Sequence, residues 1–180
     1  MKRMTAKEIL AESFKELAAG KTIEKITIKD IADNCGYSPA TFYRQFKDKY
    51  DLIAWDYAEQ VRNNIGNIGK DGHTWKQAFL KSAQYNLDHR DYLVNLFKHT
   101  SGRYSFERYM AEVNLSFIKE YMTRQHYETD AAKELLFRVY CYGTVRITMD
   151  CLMGRFHASS RELAEIYEMS VPEKLKKYLA

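Results

Sequence analysis

Two prolines in 180 residues, Pro39 and Pro172, leave long stretches with nothing to break a helix. Strand signals are just as scarce. Only TIEKITI, Thr22 to Ile28, alternates, and it is too short and isolated to found a sheet. No apolar run approaches the roughly 18 residues of a membrane span, and the opening MKRMTAKEILAESF has no uninterrupted apolar segment. Neither a membrane helix nor a signal peptide is expected. Three cysteines, Cys35, Cys141 and Cys151, are odd in number and match no zinc spacing, which points to buried thiols in a reducing cytoplasm. The five histidines, His73, His89, His99, His126 and His157, form no HxxxH or HExxH pair. GxSxG, a Walker loop and a glycine-rich phosphate cradle are missing. In LDHRD, Leu87 to Asp91, acid and histidine are chain neighbours that do not face each other, so the segment reads as a corner between helices. Catalysis, a metal and a cofactor are therefore not expected.

What is present is helical. A hydrophobic share of 46% suffices for a core and a charged share of 29% for a solvated surface. N-terminal capping signals recur along the chain. Thr5 with Glu8 opens a first helix that Gly20 closes, and Thr27 with Asp30 opens a second. Ser38 followed by Pro39 sets an N-cap and a proline at the first helical position. Asp48 starts a fourth helix running to about Ile65, Thr74 with Gln77 another, Asp91 the next, and Ser105 the one after. Thr129 opens a long helix ending near Gly154, and Ser159 with Glu162 and Ser170 with Glu173 open the last two. The chain reads as all-α, with a three-helix head (residues 1–50) and a larger helical body (51–180). The glycine-bearing Gly66 to His73 is a candidate boundary. Net charge is only +4, but its placement is uneven. Ten Lys/Arg stand against seven Asp/Glu from Met1 to Tyr50, and eighteen against seventeen beyond. A small positive surface on the head suits a polyanion, although a solvated helix face would show the same excess.

In the head, Ile9, Leu10, Phe14 and Leu17 share one face of the first helix, and Ile23, Ile26, Ile28 and Ile31 supply the apolar side of the next element. Phe42 and Phe46, four apart, lie one above the other in the third. Around them the third helix differs from a core helix. Ala40 and Thr41 are small, so the backbone near its N-terminus can approach something bulky, and Tyr43 and Arg44 fall away from the Phe42/Phe46 face. Gly36 can make the sharp turn before it. Two helices joined by a tight glycine turn, the second short and small at its start, describe a helix-turn-helix, whose second helix enters the major groove of DNA.

The stretch from Thr27 to Leu52, T.KDIADNCGYSPATFYRQFKDKYDL, resembles the DNA-binding head of the TetR/AcrR family of bacterial transcription regulators. The matching positions are Cys35, Gly36, Ser38, Ala40, Thr41, Phe42, Tyr43, Phe46 and Lys49. Tyr37 departs from the pattern where an aliphatic residue is common. Pro39 departs where a polar or basic one often meets DNA, and it offers only apolar contact, for instance to a thymine methyl. The resemblance implies phosphate contacts through Thr41, Tyr43 and Lys49, a base contact through Arg44, and backbone contacts from Thr27 and Lys29. Ser38, Pro39, Ala40 and Lys47 complete the expected DNA-facing set. Further on, YCYGTVRITMDCLMG followed by ASSRELAEIYEMSVPEKLKKYL loosely resembles the dihydroxyacetone-kinase-regulator subgroup, which implies no particular ligand.

Family resemblance also implies a body that holds an effector pocket and pairs two protomers through its last long helices. AAKELLFRVYCYGTVRITMDCLMG is apolar around much of its circumference, which suits either a dimer face or the centre of a monomer core. Phe79, Tyr92, Phe97, Tyr109, Phe117 and Tyr140 are candidate lining for a planar or amphipathic ligand, with ordinary core as the competing role. Arg146, midway along the apolar helix, faces either a ligand anion or its i+4 neighbour Asp150. The expected protein is a homodimeric, ligand-responsive repressor on a palindromic operator. The alternative is an activator or adapter whose body binds a protein co-regulator instead of a small molecule.

Overall fold

The computed structural model describes residues 4–68, 72–128 and 130–176. Among them the chain forms ten α-helices and no strand. They are α1 (Ala6–Ala18), α2 (Ile28–Asn34), α3 (Pro39–Gln45), α4 (Lys49–Ile65), α5 (Trp75–Asp88), α6 (Arg90–His99), α7 (Phe106–Arg124), α8 (Ala131–Leu152), α9 (Ser160–Met169) and α10 (Glu173–Lys176). TIEKITI becomes a single 3-10 turn, Ile23–Lys25, with Ile23 and Ile26 buried on its inner side. None of these helices is long and apolar enough to cross a membrane.

Local chemistry sets most helix starts. Reciprocal capping boxes form at Thr5/Glu8, Thr27/Asp30, Thr74/Gln77 and Ser159/Glu162. Ser38, Asp48 and Ser105 cap α3, α4 and α7 as expected. Three expected starts move. α6 begins at Arg90, with His89 as a single joint after α5, so Asp91 sits inside the first turn. Thr129 lies outside the described residues, and Asp130 caps α8 by accepting the Lys133 N–H at 2.9 Å. Ser170 terminates α9, and the last helix starts three residues later, at Glu173.

Helix ends are as specific as the starts. After α2, the Tyr37 N–H reaches back to the Ala32 carbonyl at 2.8 Å and the Gly36 N–H to Asp33 at 3.2 Å. This 6→1, 5→2 pair requires a left-handed residue, which Gly36 supplies at φ +73°. A Cβ there would meet nothing, so the demand is conformational, not steric. Gly154, at φ +77°, closes α8 through the same pair of bonds.

The head packs Leu10, Phe14, Ile23, Ile31, Phe42 and Leu52 without exposed surface. Each contributes about 1.5–3 kcal/mol relative to exposure. Ser13 Oγ donates to the Ile31 carbonyl at 2.7 Å, fixing α1 on α2. α4 crosses residue 50 without a break and packs on α1 at one end and on α5 and α7 further along. The Lys15 ammonium meets the Asp56 carboxylate at 2.9 Å, with side chains 15% and 7% exposed. Burial penalises both charges. On Lys15 the carboxylate outweighs burial and raises the pKa, whereas on Asp56 burial wins and pulls the carboxyl upward. The short, covered contact favours the ionised pair. Toward the body, Tyr57 Oη donates to Asn114 at 2.8 Å and Tyr109 Oη to the Ala54 carbonyl at 2.7 Å.

α8 resolves the expected all-round apolarity into two faces. Phe137, Tyr140, Cys141, Val145, Thr148, Met149 and Leu152 point inward, against α7 and the rest of the body. Leu135 and Val139 are 62% and 72% exposed, with Tyr142 beside them. Arg146 also lies on the outer side. It is not an interior charge, and it pairs with Asp150 at 3.2 Å and with Glu107 at 3.6 Å. The three cysteines are free thiols, with Cys141 and Cys151 buried and Cys35 half-buried.

Candidate nucleic-acid interface and effector cavity

α3 presents its N-terminal side outward. Ser38 accepts the Thr41 N–H at 3.2 Å, and the two hydroxyls lie 3.1 Å apart. Pro39 occupies the first helical position and, like Ala40, is exposed. Phe42 anchors the opposite side in the core, 5.7 Å from Phe46 between ring centroids. Tyr43 stands edge-on against Phe42 with 60% of its surface free, and Arg44 is exposed beside it. Lys47 is exposed in the following turn, and its backbone N–H is held by Asp51 at 3.0 Å. Ser38, Pro39, Ala40, Thr41, Tyr43, Arg44 and Lys47 therefore come together as one accessible segment.

The other expected contacts are differently engaged. Thr27 caps α2, accepting the Asp30 N–H at 3.1 Å. Lys29 is tied to Asp33 one turn on. Lys49 points into the head, not away from it. Its ammonium donates to the carbonyls of Ile23 (2.7 Å), Glu24 (3.1 Å) and Ile26 (2.9 Å). Those are all three of its N–H donors, and partial burial lowers its pKa. In this conformation Lys49 holds the 3-10 turn, with no donor left for a phosphate. From the other side, Asn95 on α6 donates to the carbonyls of Ala18 (2.8 Å) and Lys21 (2.9 Å) and accepts the Ile23 N–H (3.3 Å). His99 adds a 2.9 Å contact to Glu24.

A cavity of about 290 Å³ opens in the body among α4, α5, α7, α8 and α9. Phe79 and Tyr140 line it, as expected. The remaining expected residues do not. Tyr92 is buried edge-on to Phe14, and Phe97 packs on Phe106. Phe117 lies beneath Arg62, and Arg146 is on the outer surface. Tyr109 instead lines a separate cleft of about 240 Å³ between the start of α4 and residues 100–106, where Tyr50 and Tyr104 stack at 4.4 Å. The sequence reading missed most of the main cavity's polar lining, including Tyr57, Asn64, Lys81, Asn86, Asn114, Thr148 and Tyr167. One signal was available: Thr144 and Thr148, four apart, interrupt the inward face of α8. Burial raises the Tyr140 hydroxyl pKa and pushes the neighbouring Cys141 thiol up to about 12. Among the described residues no group of three His, Cys, Asp or Glu could hold a metal ion.

A helix-turn-helix with an open recognition face, carried by a helix that continues into a cavity-bearing body, defines a DNA-binding regulator. Residues 9–54 match the family model described as bacterial regulatory proteins of the tetR family, and residues 73–172 match a transcriptional regulator C-terminal region. The chain belongs to the TetR family of transcriptional regulators. Among solved structures it is similar to DhaS, a dihydroxyacetone kinase operon activator (TM-score 0.67, 17% identity, covering 94% of this chain and 93% of that one). It is also similar to a TetR regulator from Rhodococcus sp. RHA1 (0.63, 15%, 93% and 97%). A third is NalD, the secondary repressor of the MexAB-OprM efflux pump in Pseudomonas aeruginosa (0.55, 15%, 92% and 94%). At these identities the likeness shows the fold alone. No curated protein matches the chain at a significant level.

Proposed function

We propose that the protein acts in the cytoplasm as a homodimeric repressor of a palindromic operator, released when a small molecule enters the body cavity. The observation that carries this reading is α4. Its N-terminal half is packed into the head through Leu52 and Asp56, and its C-terminal half walls the cavity through Gln60, Val61 and Asn64. A guest that displaces α4 must also move the head. Two heads held at a fixed separation then no longer fit half-sites about one helical turn apart. The recognition surface in this reading is Ser38 to Arg44 with Lys47. Tyr43 and Thr41 serve phosphates, Arg44 serves a base, and Lys49 positions the head from inside. Pairing runs through the exposed apolar residues of α8 (Leu135, Val139, Tyr142) and α9 (Ile166, Met169). A formed cavity favours a small molecule over a protein co-regulator. DhaS is described as an activator and NalD as a repressor, so the fold serves both signs. Repression is the sign that needs no further contact, since a bound dimer excludes polymerase by occupancy alone.

The test is selection from random duplexes by the purified protein. An inverted repeat with half-sites a helical turn apart is expected. Recovery of single, asymmetric sites would refute the dimeric reading, and stimulation of transcription in vitro from a selected site would reverse the sign.

A further inference from the structure

The chemistry of the cavity narrows what it can hold, granted that it is the effector site. Its inner end is polar in composition, but its hydroxyl protons are already spent on partners within the fold. The Tyr140 hydroxyl donates to the Tyr167 carbonyl at 2.9 Å, and Thr144 donates to the Tyr140 carbonyl at 2.9 Å. Thr148 bonds to the Thr144 carbonyl at 2.8 Å and to the Tyr167 hydroxyl at 2.5 Å. A guest reaching this end meets rings, methyls and a thiol that burial keeps protonated, so its inner part is apolar.

The mouth is different. The most exposed lining residues, Asn63 on α4 and Lys81 on α5, mark the opening between those two helices. Among the described residues Lys81 is the one charged residue in the lining, and none of the lining residues is a carboxylate. Among the described residues Lys81 makes no ion pair within 4.0 Å. Its ammonium lies 3.5 Å from His73 Nδ1, whose ring in turn meets Asn64 at 3.3 Å. Deeper in the wall, the Trp75 indole N–H is buried without an acceptor. Lys81 lacks a carboxylate partner among the described residues and the Trp75 N–H lacks an acceptor, and both are donors. A cationic guest would bring its charge to Lys81 with no carboxylate to offset it, whereas an anionic guest supplies the missing partner.

Size sets the rest. A dry cavity of about 150 Å³ admits benzene, so about 290 Å³ admits an apolar body of roughly ten to twelve carbon atoms. We infer that the effector is an amphipathic monocarboxylate of that size, its apolar body inside and its carboxylate at the mouth beside Lys81.

Four probes test this: 2-naphthoate, decanoate, the neutral 2-naphthamide and the cationic 2-naphthylmethylammonium. Binding is read by calorimetry and by fluorescence of Trp75, one of two tryptophans. At least one carboxylate is expected to bind more tightly than the amide and the cation. The better of the two acids assigns an aromatic or a fatty-acid effector. Lys81→Met is expected to weaken that acid about tenfold and to leave the amide nearly unchanged. Equal or tighter binding of amide or cation overturns the inference, as does an unaltered acid affinity in Lys81→Met or no acid binding at millimolar concentration. Ser82→Trp, placed in the lining to block the mouth and checked by its thermal melt, separates the two levels. If the amide or cation binds and this variant abolishes it, the cavity remains the effector site and only the carboxylate falls. Binding that survives Ser82→Trp lies elsewhere and removes the cavity reading as well.

Discussion

Single side chains on α3 divide into those that hold the helix and those that face outward. Tyr43 and Arg44 belong to the second group, with different expected signatures. Tyr43→Phe removes one hydroxyl and is expected to weaken binding to every duplex by a similar factor. Arg44→Ala is expected to cost about 1–3 kcal/mol on the selected operator only, and to relax preference at one base pair per half-site. Titrations against operator and scrambled duplexes at several salt concentrations distinguish the two. Equal losses on both duplexes for Arg44→Ala would make it a phosphate contact. The thiols provide a second check on the residue scale. Cys141 is buried with its pKa raised to about 12, so at pH 8 it holds almost no thiolate. Iodoacetamide is expected to modify Cys35 in the native protein and to reach Cys141 only after unfolding, as counted by mass spectrometry.

Among elements, the 3-10 turn Ile23–Lys25 is gripped from both sides, by Lys49 at the start of α4 and by Asn95 and His99 on α6. Lys49→Met removes the donors that three carbonyls now share. It is expected to lower operator and scrambled-duplex binding together while lowering the melting temperature. A lost phosphate contact would instead reduce the salt slope by about one unit at unchanged stability. That turn is also where the sequence was least legible. TIEKITI alternates like a strand, but a lone strand has no partner, and the buried Ile23 and Ile26 are served equally well by a tight turn. Helix starts were legible because capping is local: a hydroxyl or carboxylate and an acceptor three residues on suffice. The start of α6 was not, because His89 joins it to α5 without a side-chain cap. The outward face of α3 was readable from Phe42 and Phe46, whose burial dictates what is left over. The cavity was not. Aromatic residues at helical spacing satisfy a solid core and a hollow one alike, and only three-dimensional packing separates Phe79 and Tyr140 from Tyr92 and Phe97.

For the whole molecule, assembly and stability can be separated on one helix. Val139→Glu places a charge on the exposed face of α8 and is expected to give a folded monomer by light scattering, with the melting temperature of the monomer fold retained. Leu152, fully buried near the end of the same helix, is a control. Leu152→Ala is expected to reduce unfolding free energy by about 2–5 kcal/mol while the folded fraction remains paired. A dimer that survives Val139→Glu would move the interface away from α8.

The two faces of α8 also join what those experiments pull apart. Tyr140, Thr144 and Thr148 wall the cavity, and Leu135, Val139 and Tyr142 stand on the outer side of the same 22-residue rod. Filling the cavity and joining two protomers then become two edges of one thermodynamic square. If occupancy changes the dimer dissociation constant by some factor, dimerisation changes guest affinity by that same factor. Guest titrations repeated across protein concentrations should then trace a family of curves whose midpoints drift with dilution.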